Sequence, residues 1–526
     1  MKIKKLICLL LSIIISCVFF TGCDSSDDYV IYFELDSAPK TLDPQLANST
    51  SEELLVKNLF EGLVRKNAEG KIVKGVAKDF SVSSDGRTYT FTLRENAKWS
   101  DDVIVKGKDF VFAFERAVDP KNKAPYVSSL YSIVGAKEIS EGAQKDGLGV
   151  SAPNDNTVII TLNSPNPNFL ETLTTAICMP CRKDIYNKAK GQYGIIADKI
   201  VTNGSYKIRS WEKSEKFSLR INKFTDYNGD FKSEAKAVIF NVGETKGRAV
   251  KIDEGNLDMG FIDISESSKK SNLFSYEKSN YALIINENSV FGTSNFKKAF
   301  AKSIHRNRFK NELGKSLIES SCLIPNTILL NGTPLSSQIA ISSPPAYEPN
   351  EAYSLYIEAS KDIKDLPSKI DILYYGNKDV EDLALLVAES MQQALGAVVN
   401  AISTKDESSL INSISNGEYT LALIPLTAKS NSPSQFFESF TENSSNNIYG
   451  FKNSTFDGHV SNITDDADIN TITTASESAL KELINNTTII PLAMHLEAFS
   501  YGKEFTCPII SPFGGVIDLA LVTKIQ

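Results

Sequence analysis

A largely apolar run near the N-terminus, Leu6 to Phe20, limits most strongly what the rest of this chain can fold into. The run follows three lysines among the first five residues and ends at Thr21-Gly22-Cys23. Its 15 residues fall short of the roughly 20 that a membrane-spanning helix needs, and small residues follow it, as in a cleaved secretory signal. We therefore predict that residues 1–22 are removed and that the mature chain folds outside the cytoplasm.

Cys23 is the predicted point of attachment to the membrane. Phe20-Thr21-Gly22-Cys23 resembles the bacterial lipobox, whose cysteine receives a lipid and becomes the new N-terminus, although Phe20 replaces the usual leucine. The alternative is a free cysteine at an ordinary signal-peptidase site. Residues 23–28 continue with a polar, acidic stretch that predicts a short solvated tether. We expect an extracytoplasmic protein, lipid-anchored to the outer face of the cytoplasmic membrane.

The mature chain of about 500 residues is too long for one core, and at roughly 150 residues per domain it predicts three lobes. The formal charge is −8, and removing the three leader lysines leaves −11. Such an acidic surface argues against nucleic acid or an anionic lipid surface as the partner. It fits an exported body, which we expect to be a monomer.

Periodicity predicts a small α+β unit in the N-terminal region, up to about residue 185. Tyr29 to Leu35 has the pattern of a strand, and Thr50 with Glu53 has the spacing of a capping box before a helix. Thr88 to Leu93 alternates with period two, as in a half-buried antiparallel strand. Lys108 to Val118 has a helical apolar face.

The later part of the chain predicts a mixed sheet. Phe217 to Ile221 and Val238 to Val242 have strand patterns. Ile370 to Tyr375, the amphipathic segment Val380 to Leu395 and the strand Ala397 to Ile402 form a predicted βαβ unit. Such a unit implies parallel strands joined by a right-handed crossover.

Eight short motifs occur in order along the chain. They are PKTLDP at residues 39–44, NLFEGL at 58–63, SSDGRTYTF at 83–91, AKWS at 97–100, VDP at 118–120, NGSY at 203–206, GNLD at 255–258 and IIPL at 489–492. With them the sequence resembles the peptide/nickel type of extracellular solute-binding proteins, the substrate-binding subunits of oligopeptide and dipeptide ABC importers. Asp102 and Ile104 depart from the usual Gly and Pro, and His305 stands where an Asp-Arg pair is usual.

The resemblance implies a mixed α/β (α+β) fold with two lobes, a hinge of two strands and an extra inserted domain. It divides the chain into lobe I (29–59, 186–286 and 484–526), the inserted domain (60–185) and lobe II (287–483). The implied function is that of a binding lipoprotein that closes over a peptide or peptide-like solute and passes it to the importer permease. No enzyme activity and no cofactor are expected, and a sensor on the same fold is an alternative.

The resemblance alone also supplies candidate ligand contacts. In relatives, the loop after Asp43-Pro44 borders the cleft, and an aromatic residue of the inserted domain often contacts ligand, although a core role for that tyrosine is an equal alternative. A third segment matches the place where many peptide binders have Arg-Ala-Gly-Trp followed by Asp-Tyr-Asn. The candidates are Leu46, Ala47, Asn48, Tyr126, Ile424, Pro425, Leu426, Thr427, Lys429 and Asn431.

Lys429 predicts an unusual ligand preference. In relatives an aspartate at this position pairs with the α-ammonium group of a peptide, and a lysine there would cost on the order of 4 kcal/mol at about 4 Å and a dielectric of 20. Leu423 and Leu426 replace the Arg and Trp of the same segment. A peptide with a free amine is therefore predicted to bind poorly. The alternative is that Lys429 points to solvent while another acidic residue binds the amine.

Two further patterns suggest chemistry, and for each the structural reading is preferred. Cys178 and Cys181 have the spacing of a dithiol or a zinc site, but no second pair follows them. We predict the end of a buried strand there, with an exported thiol-disulfide enzyme as the alternative. The histidines are scattered and lack neighbouring ligands, so no metal site is predicted.

Overall fold

The computed structural model describes residues 29–67, 71–143, 147–166, 169–213, 217–224, 233–267, 270–361, 363–428, 431–444, 446–464, 467–511 and 516–525. Cys23, the tether and Lys429 lie outside the described residues. Within these ranges, none of the helices combines the length and the apolar character needed to cross a membrane.

Strands and helices alternate along the chain. The strands are β1 Val30–Leu35, β2 Val64–Lys66, β3 Ile72–Lys74, β4 Ala77–Val82, β5 Thr88–Leu93, β6 Val150–Asn154, β7 Thr157–Thr161, β8 Tyr206–Glu212, β9 Ser218–Lys223, β10 Ala237–Val242, β11 Met259–Ile262, β12 Asn272–Ile285, β13 Leu317–Glu319, β14 Leu329–Leu330, β15 Thr333–Pro334, β16 Lys369–Tyr374, β17 Val398–Ser403, β18 Leu421–Thr427, β19 Ile489–Tyr501, β20 Ile509–Ser511 and β21 Val516–Asp518. The α-helices are α1 Thr50–Leu59, α2 Gly107–Val118, α3 Ala136–Ser140, α4 Phe169–Thr172, α5 Lys183–Ala189, α6 Arg248–Asp253, α7 Ser294–Lys302, α8 Phe309–Glu312, α9 Pro349–Ser360, α10 Lys378–Leu395, α11 Glu407–Ser415, α12 Pro433–Glu438, α13 Ser454–Val460 and α14 Ile469–Asn486.

One large sheet runs through two lobes. Its strand order is β17-β16-β18-β12-β19-β11-β1-β10-β9-β8, and β13 pairs with β19 outside this path. We call the part with β11, β1, β10, β9 and β8 the first lobe, and the part with β17, β16, β18 and β13 the second lobe.

The antiparallel strands β12 and β19 connect the lobes. Their pairing extends from Asn272 opposite Tyr501 to Ile284 opposite Ile489, with irregularities after Glu277 and Tyr281. In the second lobe β18 pairs with β12, whereas in the first lobe β11 pairs with β19. Among the described residues, no other strand joins the two parts of the sheet, so we call β12 and β19 the connecting strands.

A separate antiparallel sheet, β4-β5-β7-β6, forms what we call the inserted domain. β5 has the alternating burial that its sequence predicts, with Tyr89, Phe91 and Leu93 facing inward. Helix α2 packs on this sheet, and Trp99 donates a hydrogen bond from Nε1 to Oδ2 of Asp109 at 3.1 Å. One apolar core runs from this domain into the first lobe.

The second lobe has a core on each face of its sheet. The predicted βαβ unit is present as β16, α10 and β17, and β16 pairs with β17 in parallel. Helix α10 begins after Asn377, whose side chain accepts a hydrogen bond from the Val380 amide, and ends at Gly396 with φ of +65°. These are the signals by which an amphipathic helix starts and stops.

Two local predictions need correction. Helix α1 is capped by Ser49, which accepts a hydrogen bond from the Glu52 amide, rather than by Thr50. The segment before Cys181 is a short 3-10 turn, Ala176–Cys178, followed by buried extended chain, and not the end of a strand. The turn is stabilised by Thr175, whose Oγ1 donates a hydrogen bond to the Thr172 carbonyl at 2.6 Å and lies 3.8 Å from Sγ of Cys178.

A buried ion network ties α1 and β2 to the C-terminal region. Arg65 donates hydrogen bonds to Glu61 at 2.8 Å and to Asp518 at 2.7 Å, and Lys57 lies 3.9 Å from Asp518. The Arg65 and Asp518 side chains are 2% and 7% exposed. Burial raises the pKa of Glu61 and lowers that of Lys57. The buried cations and carboxylates of this network therefore neutralise one another.

Candidate functional site

The predicted cleft loop lies between β1 and α1. The Glu52 carboxylate accepts hydrogen bonds from the Lys40 amide at 2.8 Å and the Asn48 amide at 2.9 Å, which fixes both ends of the loop. Leu46 is partly exposed, Ala47 is buried and Asn48 is exposed. Of the three candidates, Asn48 therefore offers the most accessible side chain.

Arg116 of the inserted domain binds side chains of this loop. Its guanidinium donates to Asp43 Oδ2 at 2.5 Å and to Gln45 Oε1 at 2.6 Å. The guanidinium carbon also lies 4.0 Å from the centre of the Tyr186 ring. Charge-assisted pairs of this kind are stronger than neutral hydrogen bonds, so Arg116 stabilises the position of the loop.

Tyr126 reaches from the inserted domain to helix α1. It is partly buried and its hydroxyl donates a hydrogen bond to Glu53. Burial is the main reason that the pKa of Glu53 rises to about 7; the charge of Glu52 adds to the shift, whereas the hydrogen bond from Tyr126 and the charge of Lys278 oppose it. Tyr126 therefore lies where the inserted domain contacts helix α1.

Glu407, the first residue of α11, is a residue of the second lobe that acts on Tyr126. Burial raises the pKa of the Tyr126 hydroxyl, and the charges of Glu53, Glu52 and Glu407 raise it further. Burial and then Glu407 likewise raise the pKa of Tyr281 on β12. Glu407 is therefore within electrostatic reach of both the inserted domain and a connecting strand.

The connecting strands carry polar groups beside this region. Glu497 on β19 accepts hydrogen bonds from the Tyr276 hydroxyl and from Nζ of Lys278, both on β12. His495 is next on the same face of β19, and its ring meets that of Tyr281 edge-on at 6.0 Å. Burial lowers the pKa of His495, so this imidazole is neutral at pH 7.

The third predicted segment begins in strand β18 and continues past the end of this strand. Ile424 and Leu426 are buried on one face of the sheet, and Leu423 is buried on the other. Pro425 is partly exposed and Thr427 is exposed. Asn431 accepts a hydrogen bond from the Leu329 amide at 2.6 Å, which positions the chain after the strand. As contacts with a ligand, all of these residues stay predictions.

A small, open depression lies at the carboxyl end of β1, beside the first turns of α1 and Phe261. Its acidic residues are already paired: Arg248 donates to Asp36 at 2.7 Å, and Lys251 donates to Glu34 at 2.7 Å. The carboxyl ends of parallel strands are the usual ligand edge of such sheets. Half of the residues that line the depression are apolar, namely Phe33, Leu35, Leu54 and Phe261.

The thiols of Cys178 and Cys181 are free and buried. Burial raises the pKa of Cys178 to about 12 and that of Cys181 to about 11, although Arg116 opposes the second shift. Both thiols are therefore protonated at neutral pH, whereas thiol-disulfide chemistry needs the thiolate. In the described ranges, no group of three or more His, Cys, Asp and Glu residues could hold a metal ion.

Sequence reasoning missed Glu53, Lys278, Glu407 and Glu497 as parts of this region. Glu53 was noticed only for its spacing from Thr50. The other three belong to α11 and the connecting strands, and long-range pairing brings them together with α1 and Tyr126. No local pattern marks such residues, because their neighbours are distant in sequence.

The fold and the polar groups between its lobes define a solute-binding protein. The model for the middle region of the bacterial extracellular solute-binding proteins, family 5, matches residues 71–447. The chain belongs to this family, whose members bind solutes and are not enzymes. The predicted family is therefore confirmed, and with it an extracellular or periplasmic place of action.

Individual relatives cover nearly the whole chain. It is 27% identical over 498 residues to the periplasmic oligopeptide-binding protein OppA of Salmonella typhimurium, covering 91% of this chain and 89% of that protein. It is 25% identical over 481 residues to the dipeptide-binding protein of Lactococcus lactis, covering 87% of each.

Solved structures of similar proteins have the same fold as this chain. Haemophilus influenzae OppA in complex with RPPGFSPFR superposes with a TM-score of 0.79 at 25% identity, covering 95% of this chain and 99% of that one. The Escherichia coli murein tripeptide binding protein MppA gives the same TM-score at 23% identity, over the same share of each chain. The predicted two-lobed mixed α/β fold is confirmed, whereas the domain boundaries stay a prediction.

Proposed function

We propose that this protein captures a peptide or peptide-like solute between its lobes and delivers it to the permease of an ABC importer. The observation that carries the proposal is the arrangement around Tyr126 of the inserted domain, which hydrogen-bonds to Glu53 on α1 and lies within electrostatic reach of Glu407 on α11. The names of the relatives support the ligand class, since they bind oligopeptides, dipeptides and a murein tripeptide.

The arrangement supports capture by closure. Because two strands alone connect the lobes among the described residues, the lobes can rotate about them with little loss of packing. Closure removes water from the space between the lobes, and every polar contact to the ligand becomes stronger at the lower dielectric. An extended peptide bound largely through its backbone leaves few marks of specificity in the sequence.

Two measurements test the proposal together. Mass spectrometry of the natively purified protein should identify a bound peptide, and small-angle scattering should show compaction when a pool of peptides is added to the stripped protein. No compaction with any pool, together with no co-purified solute, would contradict capture by closure.

A further inference from the structure

Arg306 of the second lobe is an unusual buried cation. It follows α7 and begins the 3-10 turn Arg306–Arg308. Its three guanidinium nitrogens, Nε, Nη1 and Nη2, are shielded from solvent, and no described residue accepts a hydrogen bond from any of them. Burial lowers the pKa of Arg306 to about 10, and the charge of Glu319 opposes the shift. The side chain is therefore still cationic at pH 7.

Three other arginines of this chain, Arg308, Arg116 and Arg248, have carboxylate partners. Arg308, two residues further on, donates to Glu312 through Nε and Nη2 at 2.8 Å each and to Glu389 at 3.0 Å. Two deeply buried arginines, Arg116 and Arg248, also pair with carboxylates. The surroundings of Arg306 thus differ from those of a matched residue in the same turn.

An unpaired guanidinium is costly to bury, because it loses its hydration and none of its five N–H donors gains a partner. Native proteins satisfy such groups with protein, water or an ion. The planar fork of a guanidinium matches the two oxygens of a carboxylate. A single negative charge also balances Arg306, whereas a doubly charged phosphate would leave an excess charge beside Glu319.

We propose that Arg306 is the anchor of an anion site in the second lobe, and that the anion is a carboxylate. The site borders a connecting strand, since β13 carries Glu319 and pairs with β19 from Leu317 opposite His495 to Glu319 opposite Ala493. The carboxylate has two possible sources, a free small acid or the carboxylate of a captured ligand. The second source depends on the proposed function, and the first does not.

The first experiment uses acetate as the probe. The melting temperatures of the wild type, Arg306→Gln and Arg308→Gln are measured in sodium acetate and in sodium chloride at equal concentration. We expect acetate to raise the melting temperature of the wild type and of Arg308→Gln, and not that of Arg306→Gln. The ligand-free Arg306→Gln variant should be at least as stable as the wild type, because it no longer buries an unpaired charge.

The second experiment tests the ligand as the source. Calorimetry compares trialanine with its C-terminal amide, and we expect the acid to bind about ten- to a hundredfold more tightly to the wild type. This difference should vanish in Arg306→Gln and persist in Arg308→Gln. A failure here with a positive acetate result would assign the site to free acids and leave it intact.

Glu319→Gln keeps the proposal testable if Arg306→Gln does not fold. It leaves the arginine in place and removes the competing negative charge, so carboxylate binding should become several-fold tighter. The proposal is overturned if neither acetate nor the free tripeptide acid is preferred by the wild type, if the preference survives Arg306→Gln, or if Glu319→Gln changes nothing. Scattering with peptide pools tests the proposed function separately from all of these.

Discussion

Glu53 shows how a single residue acquires its chemistry from its surroundings. It sits in the first turn of α1, where a carboxylate is normally favourable. Burial and the neighbouring Glu52 nevertheless raise its pKa to about 7, although Tyr126 and Lys278 oppose the shift. The loss of hydration therefore outweighs the hydrogen bond and the nearby lysine, and the carboxyl group titrates near neutral pH.

Glu53 should make stability depend on pH. Its pKa lies above the ordinary 4.5, so the folded protein binds the proton more tightly than the unfolded chain and loses stability as the pH rises from about 4.5 to about 7. Relative to Glu53→Gln, the wild type should lose at most about 3 kcal/mol across this window. Urea unfolding of both proteins between pH 4 and 8 measures the difference. The exposed change Glu141→Gln is the control, and parallel curves for wild type and Glu53→Gln would contradict the assignment.

Lys429 gives a second prediction at this scale, from sequence alone. If its ammonium lies where relatives place an aspartate, peptides with a free α-amine should bind up to roughly a thousandfold more weakly than that aspartate would allow. Calorimetry with matched free and N-acetylated peptides should show no preference for the free amine, and Lys429→Ala should restore part of it. Tighter binding of the free amines, unchanged in Lys429→Ala, would instead indicate that another acidic residue binds the amine.

At the scale of elements, the buried pair of Arg65 and Asp518 joins β2 to β21. Asp518→Asn would leave the charges of Arg65 and Lys57 compensated only by Glu61, so unfolding should become easier by about 3–5 kcal/mol. Denaturant titration measures this loss. The matched control is Asp79→Asn in the exposed pair with Lys74, whose side chains are 71% and 48% exposed, where solvent screens the charges and the loss should be much smaller. Equal effects in both variants would contradict the distinction.

Elements with a strong local pattern could be predicted from the sequence, and the others could not. The β16–α10–β17 unit has helical periodicity, an Asn cap and a Gly end, and all three act within a few residues. The pairing of β19 with β11, β12 and β13 depends on residues more than 170 positions away, and no periodicity encodes it. The loop between β1 and α1 could be located from the PKTLDP motif, whereas Glu53 and Glu407 come near Tyr126 only in the folded chain.

At the scale of the whole molecule, the prediction concerns attachment. A bacterial lipoprotein carries two or three acyl chains, which are needed because a single chain binds a membrane only marginally. Cys23→Ala should therefore move the protein from the membrane fraction to the soluble fraction and abolish lipid labelling, while ligand binding stays unchanged. Cys507→Ala, at an exposed free thiol, is the control. Persistent lipid labelling of Cys23→Ala would contradict the anchor.

The first lobe is assembled from the two ends of the chain. Strand β1 lies beside β11, which pairs with β19, and the Tyr29 hydroxyl donates to the Val522 carbonyl at 2.9 Å across 493 positions. A chain that is exported from its N-terminus cannot complete this lobe until its last residues have emerged. The second lobe, by contrast, gets β16, β17 and β18 before β19 emerges. If the chain is exported from its N-terminus, as its leader predicts, the first lobe is therefore the last part of the protein to become native, although it contains the first strand.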